Sequence, residues 1–426
     1  MEPVVTARVV TPRAASGSGH QALPSASWIQ ARVAKTSDML DRAFEEGLTG
    51  HVFRERAGKT VTLDDGTAAV EFISCSYLGL EQHPALVEAA HEAMDRCGLH
   101  FSSSQNRMRP PYLGQLEAAL AEIYDGSRVL CFTSVSNVHL GILPLLGGGA
   151  LPSYPVGEAG PAFLIDRTAH ASMQVLRGIM EQLGPVSRFD RADLDSLTGG
   201  LQTARSDGRT AIVLVDGVGS MGGLIDVVAL HACVAEASGY LYVDDAHGIS
   251  IDGGHGAGYA ATAFAGPVPS DVVLAGSLSK AFGGAGGFVV VPGPADVAVA
   301  RKLANPLVFG HSIMLPTLAA DVAAARLHLD GQVAGLQAGL WENAALFDTL
   351  TGHRLENAGL RSPIRGASFD SEHQALEVAR RLRTAGILIL PAFFPTVAQG
   401  TGLIRFAVSA SHEPEHLRRA AAVLAP

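Results

Sequence analysis

The chain has 426 residues, 31 basic against 41 acidic side chains, a formal net charge of -10 and 47% hydrophobic residues. At roughly 150 residues per domain, that length suits two or three units, or one large core with a smaller appendage. With only 17% charged residues the chain is not disordered; no apolar run nears the ~20 residues that cross a bilayer, and an acidic chain without a basic cluster excludes nucleic acid and membrane as main partners.

Residues 1–27 are rich in Ala, Ser, Gly and Pro and lack the apolar centre of a secretory signal, so they read as a flexible tail. Residues 28–69 read as an N-terminal arm. From Val70 onward, short β-rich runs at 128–132, 162–165, 211–215, 240–243, 272–275 and 288–291 alternate with amphipathic stretches such as 111–123 and 230–237. Most of these runs are continuously apolar, as expected of strands covered on both faces. The alternation predicts an α/β fold with a large, doubly wound, mostly parallel sheet over 70–310 and ligands beyond the carboxyl ends of its strands. Beyond Pro316 an Ala/Leu-rich helical stretch leads into a strand–helix–strand pattern, a last strand at 403–409 and a final helix near 414–424. This predicts a smaller C-terminal α+β domain over 311–426.

The four cysteines, Cys75, Cys97, Cys131 and Cys233, lie far apart and form no zinc-type spacing with histidine, so no metal site is expected and a reducing, cytoplasmic setting fits. Lysine is scarce: Lys35, Lys59, Lys280 and Lys302 are the whole set. Lys280 stands out, because residues 276–287 read Gly-Ser-Leu-Ser-Lys-Ala-Phe-Gly-Gly-Ala-Gly-Gly directly after a buried strand. A lysine in a tight, partly desolvated place has a depressed pKa and can form an imine, whereas an arginine stays protonated. The plain alternative is a solvated lysine on a surface turn.

Three more segments sit at strand ends. Asp244 closes the run at 240–243 and is followed by Asp245-Ala246-His247-Gly248; a buried carboxylate there needs a cation, though an aspartate at a strand end also caps helices. His170, in Asp166-Arg167-Thr168-Ala169-His170-Ala171-Ser172, lies on a loop where it can stack on a flat ligand or serve structure alone. Thr133-Ser134-Val135-Ser136-Asn137 precedes a helix and offers hydroxyls and free amides to a phosphate, or a simple cap.

In this order — phosphate cap, stacking His, strand-end Asp, Lys — the constellation resembles the fold-type I enzymes that use pyridoxal 5'-phosphate (PLP). The resemblance narrows to the α-oxoamine synthases, the family of 8-amino-7-oxononanoate synthase, 5-aminolevulinate synthase, glycine C-acetyltransferase and serine palmitoyltransferase. It extends from about Gly50 to the end, through Tyr77-Leu78-Gly79-Leu80 with His83-Pro84, Ser220-Met221, Ser277-Leu278-Ser279-Lys280-Ala281-Phe282-Gly283, Pro395-Thr396-Val397, Gly400-Thr401 and Arg405.

The resemblance implies that Lys280 binds PLP covalently and later moves the substrate proton, Asp244 pairs with the pyridine nitrogen, His247 contacts the phenolic oxygen and His170 stacks on the ring. It implies a phosphate site made of Ser277, Ser134 and the Val135 and Ser136 amides, completed by Ser312 of a neighbouring subunit, with Ser220 near the ring. Arg405 would bind the amino-acid carboxylate, and Ser76 takes the place of a substrate-site Asn. The implied reaction is a decarboxylative Claisen-type condensation of an amino acid with an acyl thioester, carried on coenzyme A or a carrier protein, in an obligate homodimer.

Several positions depart from the family pattern: Ser76, Val135-Ser136, residues 102–111, the shortened Ser220-Met221-Gly222-Gly223, Asp216 in place of a Glu, and Leu403 in place of the first Arg of an Arg-x-Arg pair. These departures point to a specialised biosynthetic branch. Two other readings stay open: another fold-type I PLP enzyme such as an aminotransferase or lyase, and a non-catalytic partner subunit. The net negative charge predicts no evident docking patch for either thioester carrier.

Overall fold

The computed structural model describes residues 38–191, 193–394 and 396–425. The expected tail, the first part of the arm and Pro395 of the Pro-Thr-Val motif lie outside the described residues.

The arm forms strands β1 (Phe53–Ala57), β2 (Thr60–Leu63) and β3 (Ala68–Glu71), an antiparallel meander. Its turn is secured by Lys59, which is 2% exposed and whose Nζ donates to Glu71 Oε1 at 2.8 Å and Ser74 Oγ at 2.9 Å. Lys59 is therefore a structural lysine with a defined partner.

The large sheet comprises β4 (Arg128–Phe132), β5 (Pro161–Asp166), β6 (Val186–Phe189), β7 (Thr210–Asp216), β8 (Tyr240–Asp244), β9 (Val272–Ser277) and β10 (Gly287–Val291). Their order is β4-β10-β9-β8-β7-β5-β6, and only β10 runs antiparallel to its neighbours. Strands β5, β8, β9 and β10 are buried almost throughout, as the continuous apolar runs require when helices cover both faces. Four neighbouring strands end on polar residues, Asp166, Asp216, Asp244 and Ser277, so the apolar runs stop where the sheet opens to a ligand.

The C-terminal part contributes β11 (Ile364–Phe369), β12 (Ile387–Leu388), β13 (Leu390–Ala392) and β14 (Gly402–Ala407). Strands β11, β14 and β13 form an antiparallel sheet, while β12 pairs in parallel with β3, tying the arm to this unit. Arg365 of β11 is 1% exposed and donates to both carboxylate oxygens of Asp348, at 2.5 and 2.8 Å. The helix Leu315–Leu329, which follows the boundary expected at residue 311, packs on the helices Pro84–Cys97 and Leu113–Ile123 of the large unit. Among the described residues no helix is long and apolar enough to cross a membrane.

Candidate active site

A cavity of about 160 Å³ opens at the carboxyl ends of the large sheet, lined by Ser134, Val135, Ser136, His170, Asp216, Asp244, His247, Ser277, Ser279 and Lys280. At one end β4 stops at Phe132 and the helix Val135–Gly147 begins. Ser134 caps it, its Oγ accepting from Asn137 N at 3.2 Å. The amides of Val135 and Ser136, in the helix's first turn, have no intrahelical acceptor and face the cavity. This loop sits tightly on β10: a Cβ at Gly287 would lie 2.6 Å from Val135 N. Ser277 Oγ accepts from Ser279 N at 3.1 Å and lies 3.0 Å from Ser279 Oγ, so a second hydroxyl joins the same end.

The floor is Asp244. Its Oδ1 accepts from Ala246 N at 3.0 Å and its Oδ2 lies 3.0 Å from Nε2 of His139, which is fully buried. Nδ1 of His139 lies 2.8 Å from the hydroxyl of Tyr242. Burial pushes the Tyr242 phenol well above its ordinary value, so it keeps its proton and donates it to Nδ1; Nε2 then donates to Asp244. Burial alone would raise Asp244, but His139 and the nearby Lys280 charge outweigh it and hold the carboxyl below its ordinary value. Asp216, its register partner on β7, goes the other way: burial and the Asp244 charge push it far up, and its Oδ1 accepts from His170 N at 3.1 Å. The two adjacent carboxyls are thus pushed in opposite directions, Asp244 toward its ionised form and Asp216 toward its neutral one.

Above the floor, Lys280 is half-buried and its Nζ has no hydrogen-bond or ion-pair partner among the described residues. His170 starts the short helix Ala171–Gln174, its Nδ1 2.7 Å from Ser172 Oγ, and its exposed ring faces the cavity. His247 is held by Tyr77, whose hydroxyl lies 2.7 Å from Nδ1. Arginine can only donate, so Tyr77 accepts from Arg405 Nη2 at 3.4 Å and passes its own proton toward His247 Nδ1. Burial, then the charges of Lys280 and Arg405, keep His247 well below its ordinary pKa. It is thus a neutral imidazole with its N–H on Nε2, a donor aimed at an anionic acceptor.

Arg405 on β14 is 6% exposed. Its Nη2 reaches Cys75 Sγ at 3.1 Å and Tyr77, while its Nε is buried with no partner. Burial opposes its charge, but Tyr77 and Cys75 more than offset that effect. The Cys75 thiol is in turn drawn below its ordinary value, Arg405 and Lys280 outweighing burial. A second cavity of about 820 Å³ continues from Lys280, His247 and Arg405 past Cys75, Ser220 and Phe394.

The structure thus brings together Lys280, His170, Asp244, His247, Ser134, Val135, Ser136 and Ser277, with Ser220 and Arg405 on the adjoining cavity. One expectation is corrected. Ser76 lines neither cavity; it is buried, and its carbonyl accepts from Ser409 Oγ at 2.7 Å. Successive residues face opposite ways, and Cys75 takes the position beside Arg405. Ser312, expected to act in a neighbouring subunit's site, does not line the cavity of its own chain, and its Oγ has no partner among the described residues. Sequence reasoning missed His139, Tyr77, Cys75 and Ser279. His139 gave little signal, lying inside a mostly apolar helix.

The residues present fit PLP. An ionised carboxylate matches a pyridinium, an Nε2–H donor matches the phenolic oxygen, free helix-start amides and hydroxyls match the phosphate, and an unpaired lysine stands beside them.

The aminotransferase class I and II family matches residues 70–424. An 8-amino-7-oxononanoate synthase from Beijerinckia indica subsp. indica is 32% identical, over 92% of this chain and 96% of its own length. A putative 8-amino-7-oxononanoate synthase from Desulforudis audaxviator is 31% identical, over 85% of this chain and 90% of its own. The fold is shared with a serine palmitoyltransferase from S. paucimobilis with bound PLP–myriocin aldimine, at a TM-score of 0.79 and 22% identity, covering 93% of this chain and 96% of that one.

Proposed function

The chain belongs to the aminotransferase class I and II family, in its α-oxoamine synthase branch, and we propose that this site joins an amino acid to an acyl thioester with loss of carbon dioxide. The products are an α-amino ketone, carbon dioxide and the free thiol. The observation that carries the reading is Arg405: a buried guanidinium with an unpartnered Nε, in a cavity shared with the unpaired Lys280. Buried arginines are normally satisfied, so this one waits for an anion, and a substrate carboxylate suits its planar fork.

PLP, when bound, supplies an electron sink for the negative charge that develops at the substrate's α-carbon. Asp244 keeps a fixed negative charge at the sheet's edge, and His139 and Tyr242 hold it in orientation. Burial and the Asp244 charge push Asp216 toward its neutral form, which lessens competing charge. Arg405 fixes the carboxylate and so sets which α-carbon bond faces Lys280, the base that removes and returns the proton. His247 offers one N–H and cannot serve as an acid, because its imidazole stays neutral.

The site is proposed to work in the cytoplasm as a homodimer, with Ser312 of the partner subunit completing the phosphate end. The four free cysteines support the reducing setting. Departures at Val135-Ser136 and the Ser220–Gly223 turn support a product other than that of the named relatives. Incubating the holoenzyme with single amino acids and acyl thioesters, then measuring carbon dioxide and products by mass spectrometry, tests the reading. Amino ketone with stoichiometric carbon dioxide is expected; amino-group transfer to a keto acid overturns the condensation, and preferred formation of 8-amino-7-oxononanoate overturns the specialised branch.

A further inference from the structure

The larger cavity carries a thiol that the condensation leaves unused, that of Cys75. Cys75 lies between β3, which ends at Glu71, and the helical turn Leu80–Gln82, and it is half-buried. Its Sγ accepts from Arg405 Nη2 at 3.1 Å. A neutral thiol is a weak acceptor and does little for a guanidinium, whereas a thiolate gives it an ionic partner. Burial opposes ionisation of Cys75, but the charges of Arg405 and Lys280 outweigh it and draw the thiol below its ordinary value. A second observation points to a ligand at the same place: Arg405 is 6% exposed, and its Nε is buried with no partner. The exposed Arg167 and Arg188 line the far side of this cavity, so it reaches solvent. The other three cysteines differ. Cys131 is fully buried, and burial pushes its thiol well above its ordinary value. Cys97 closes the helix Pro84–Cys97 and Cys233 lies within the helix Val227–Glu236; neither lines either cavity.

A thiol beside a cation, on a cavity that solvent reaches, is the setting in which cysteines oxidise selectively. We propose that Cys75 is a modification site where a small hydroperoxide converts the thiol to a sulfenic acid, and that this closes Arg405 to the amino-acid carboxylate. An electron pair on sulfur forms the new S–O bond as the O–O bond of the peroxide breaks. Sulfur is oxidised by two electrons and the peroxide is reduced by the same two; its second oxygen leaves as water or an alcohol, carrying the thiol proton. Arg405 can only donate, and its unmet Nε–H supplies a donor on the same cavity for the departing oxygen. The added oxygen is a better acceptor than sulfur, so it takes up the guanidinium donors that a carboxylate needs. Two equivalents of an external thiol reverse the change: the first forms a mixed disulfide with loss of water, and the second frees Cys75. The closure rests on the carboxylate role proposed above for Arg405; the oxidation does not.

Treating the holoenzyme with hydrogen peroxide, trapping sulfenic acid with dimedone and locating the adduct by peptide mass tests the site. Cys75 is expected to be trapped at least about tenfold faster than Cys97, Cys131 or Cys233. Arg405→Ala should slow trapping at Cys75 at least about tenfold, and Arg405→Lys, which keeps a cation, should slow it less. Trapping spread evenly over the four cysteines, absent from Cys75 or indifferent to Arg405 overturns the modification site. If Arg405→Ala fails to fold, wild-type alkylation carries the comparison. Iodoacetate bears a carboxylate and iodoacetamide does not, so the ratio of their rates should be higher at Cys75 than at Cys233; equal ratios overturn the role of Arg405. Closure of the carboxylate site is read by titrating the proteinogenic amino acids one by one against the cofactor absorbance, before and after peroxide. Those that bind should lose at least about tenfold in affinity and regain it with dithiothreitol, whereas Cys75→Ser should keep its own affinity through the treatment. Unchanged wild-type affinity with Cys75 oxidised overturns the closure. If no amino acid perturbs the untreated holoenzyme, the condensation reading falls and the closure with it, while the dimedone map still decides the modification site.

Discussion

Two arginines on adjacent strands of the small sheet show how a structural cation differs from one reserved for a ligand. Arg365 on β11 stands beside Phe406 and Arg405 on β14 beside Gly366, so alternation sends them to opposite faces. Both are buried. Arg365 spends its donors on Asp348 and on the carbonyls of Ser362 and Ile364. Arg405 finds only a thiol and a phenol, and its Nε finds nothing. The lysines repeat the contrast: Lys59 is locked to Glu71, whereas Lys280 is unpaired. Burial alone does not identify function; in this pair, a cation on the cavity with donors left unmet does.

The contrast can be broken at each of its members. Lys280→Ala should lose the borohydride-reducible cofactor attachment, mapped by peptide mass, and lower turnover by ~10²–10⁴-fold; a label on another lysine would falsify the assignment. Arg365→Ala leaves Asp348 buried and unpaired and should cost ~3–5 kcal/mol of unfolding free energy in denaturant titration. Arg405→Ala should instead change stability by about 1 kcal/mol or less and weaken amino-acid binding by ~2–5 kcal/mol in spectroscopic titration. If the two variants lose stability equally, the distinction fails.

The paired carboxyls sharpen it further. Asp244→Asn removes the ionised member and should lower turnover by ~10²–10³-fold, while Asp216→Asn, replacing a neutral acid with a neutral amide, should leave most of the activity. A pH-dependent effect concerns Asp245, whose Oδ1 is buried without a partner and whose pKa burial pushes up to about 8. Its folded value lies above its unfolded one, so its contribution to stability is complete at acid pH and is lost as pH rises toward 8. Melts across that range should show wild type losing up to ~1.4 kcal/mol per pH unit relative to Asp245→Asn; parallel curves sink this account.

The runs at 128–132 and 240–243 were legible because sheet strands covered on both faces leave no choice but apolar residues. The strand-end groups Asp244, Lys280 and His170 were legible because polar residues there break that rule. His139 was not: inside a helix it breaks a pattern by one residue, and its meaning lies in Asp244 and Tyr242 of β8, three strands along the sheet from β4. The Ser76 expectation failed by one position, since which neighbour faces Arg405 depends on how the loop turns.

The lone antiparallel strand β10 has a consequence for how this protein matures. Phe132, Gly287 and Ser277 stand on one rung across β4, β10 and β9. The phosphate loop begins just beyond Phe132 and the lysine hairpin just beyond Ser277, so a single rung sets the span between the two grips on the cofactor. These segments are far apart along the chain and meet only when β10 is inserted between them. The two grips therefore face one another only in the sheet with β10 in place, and a cofactor held by both stabilises that arrangement.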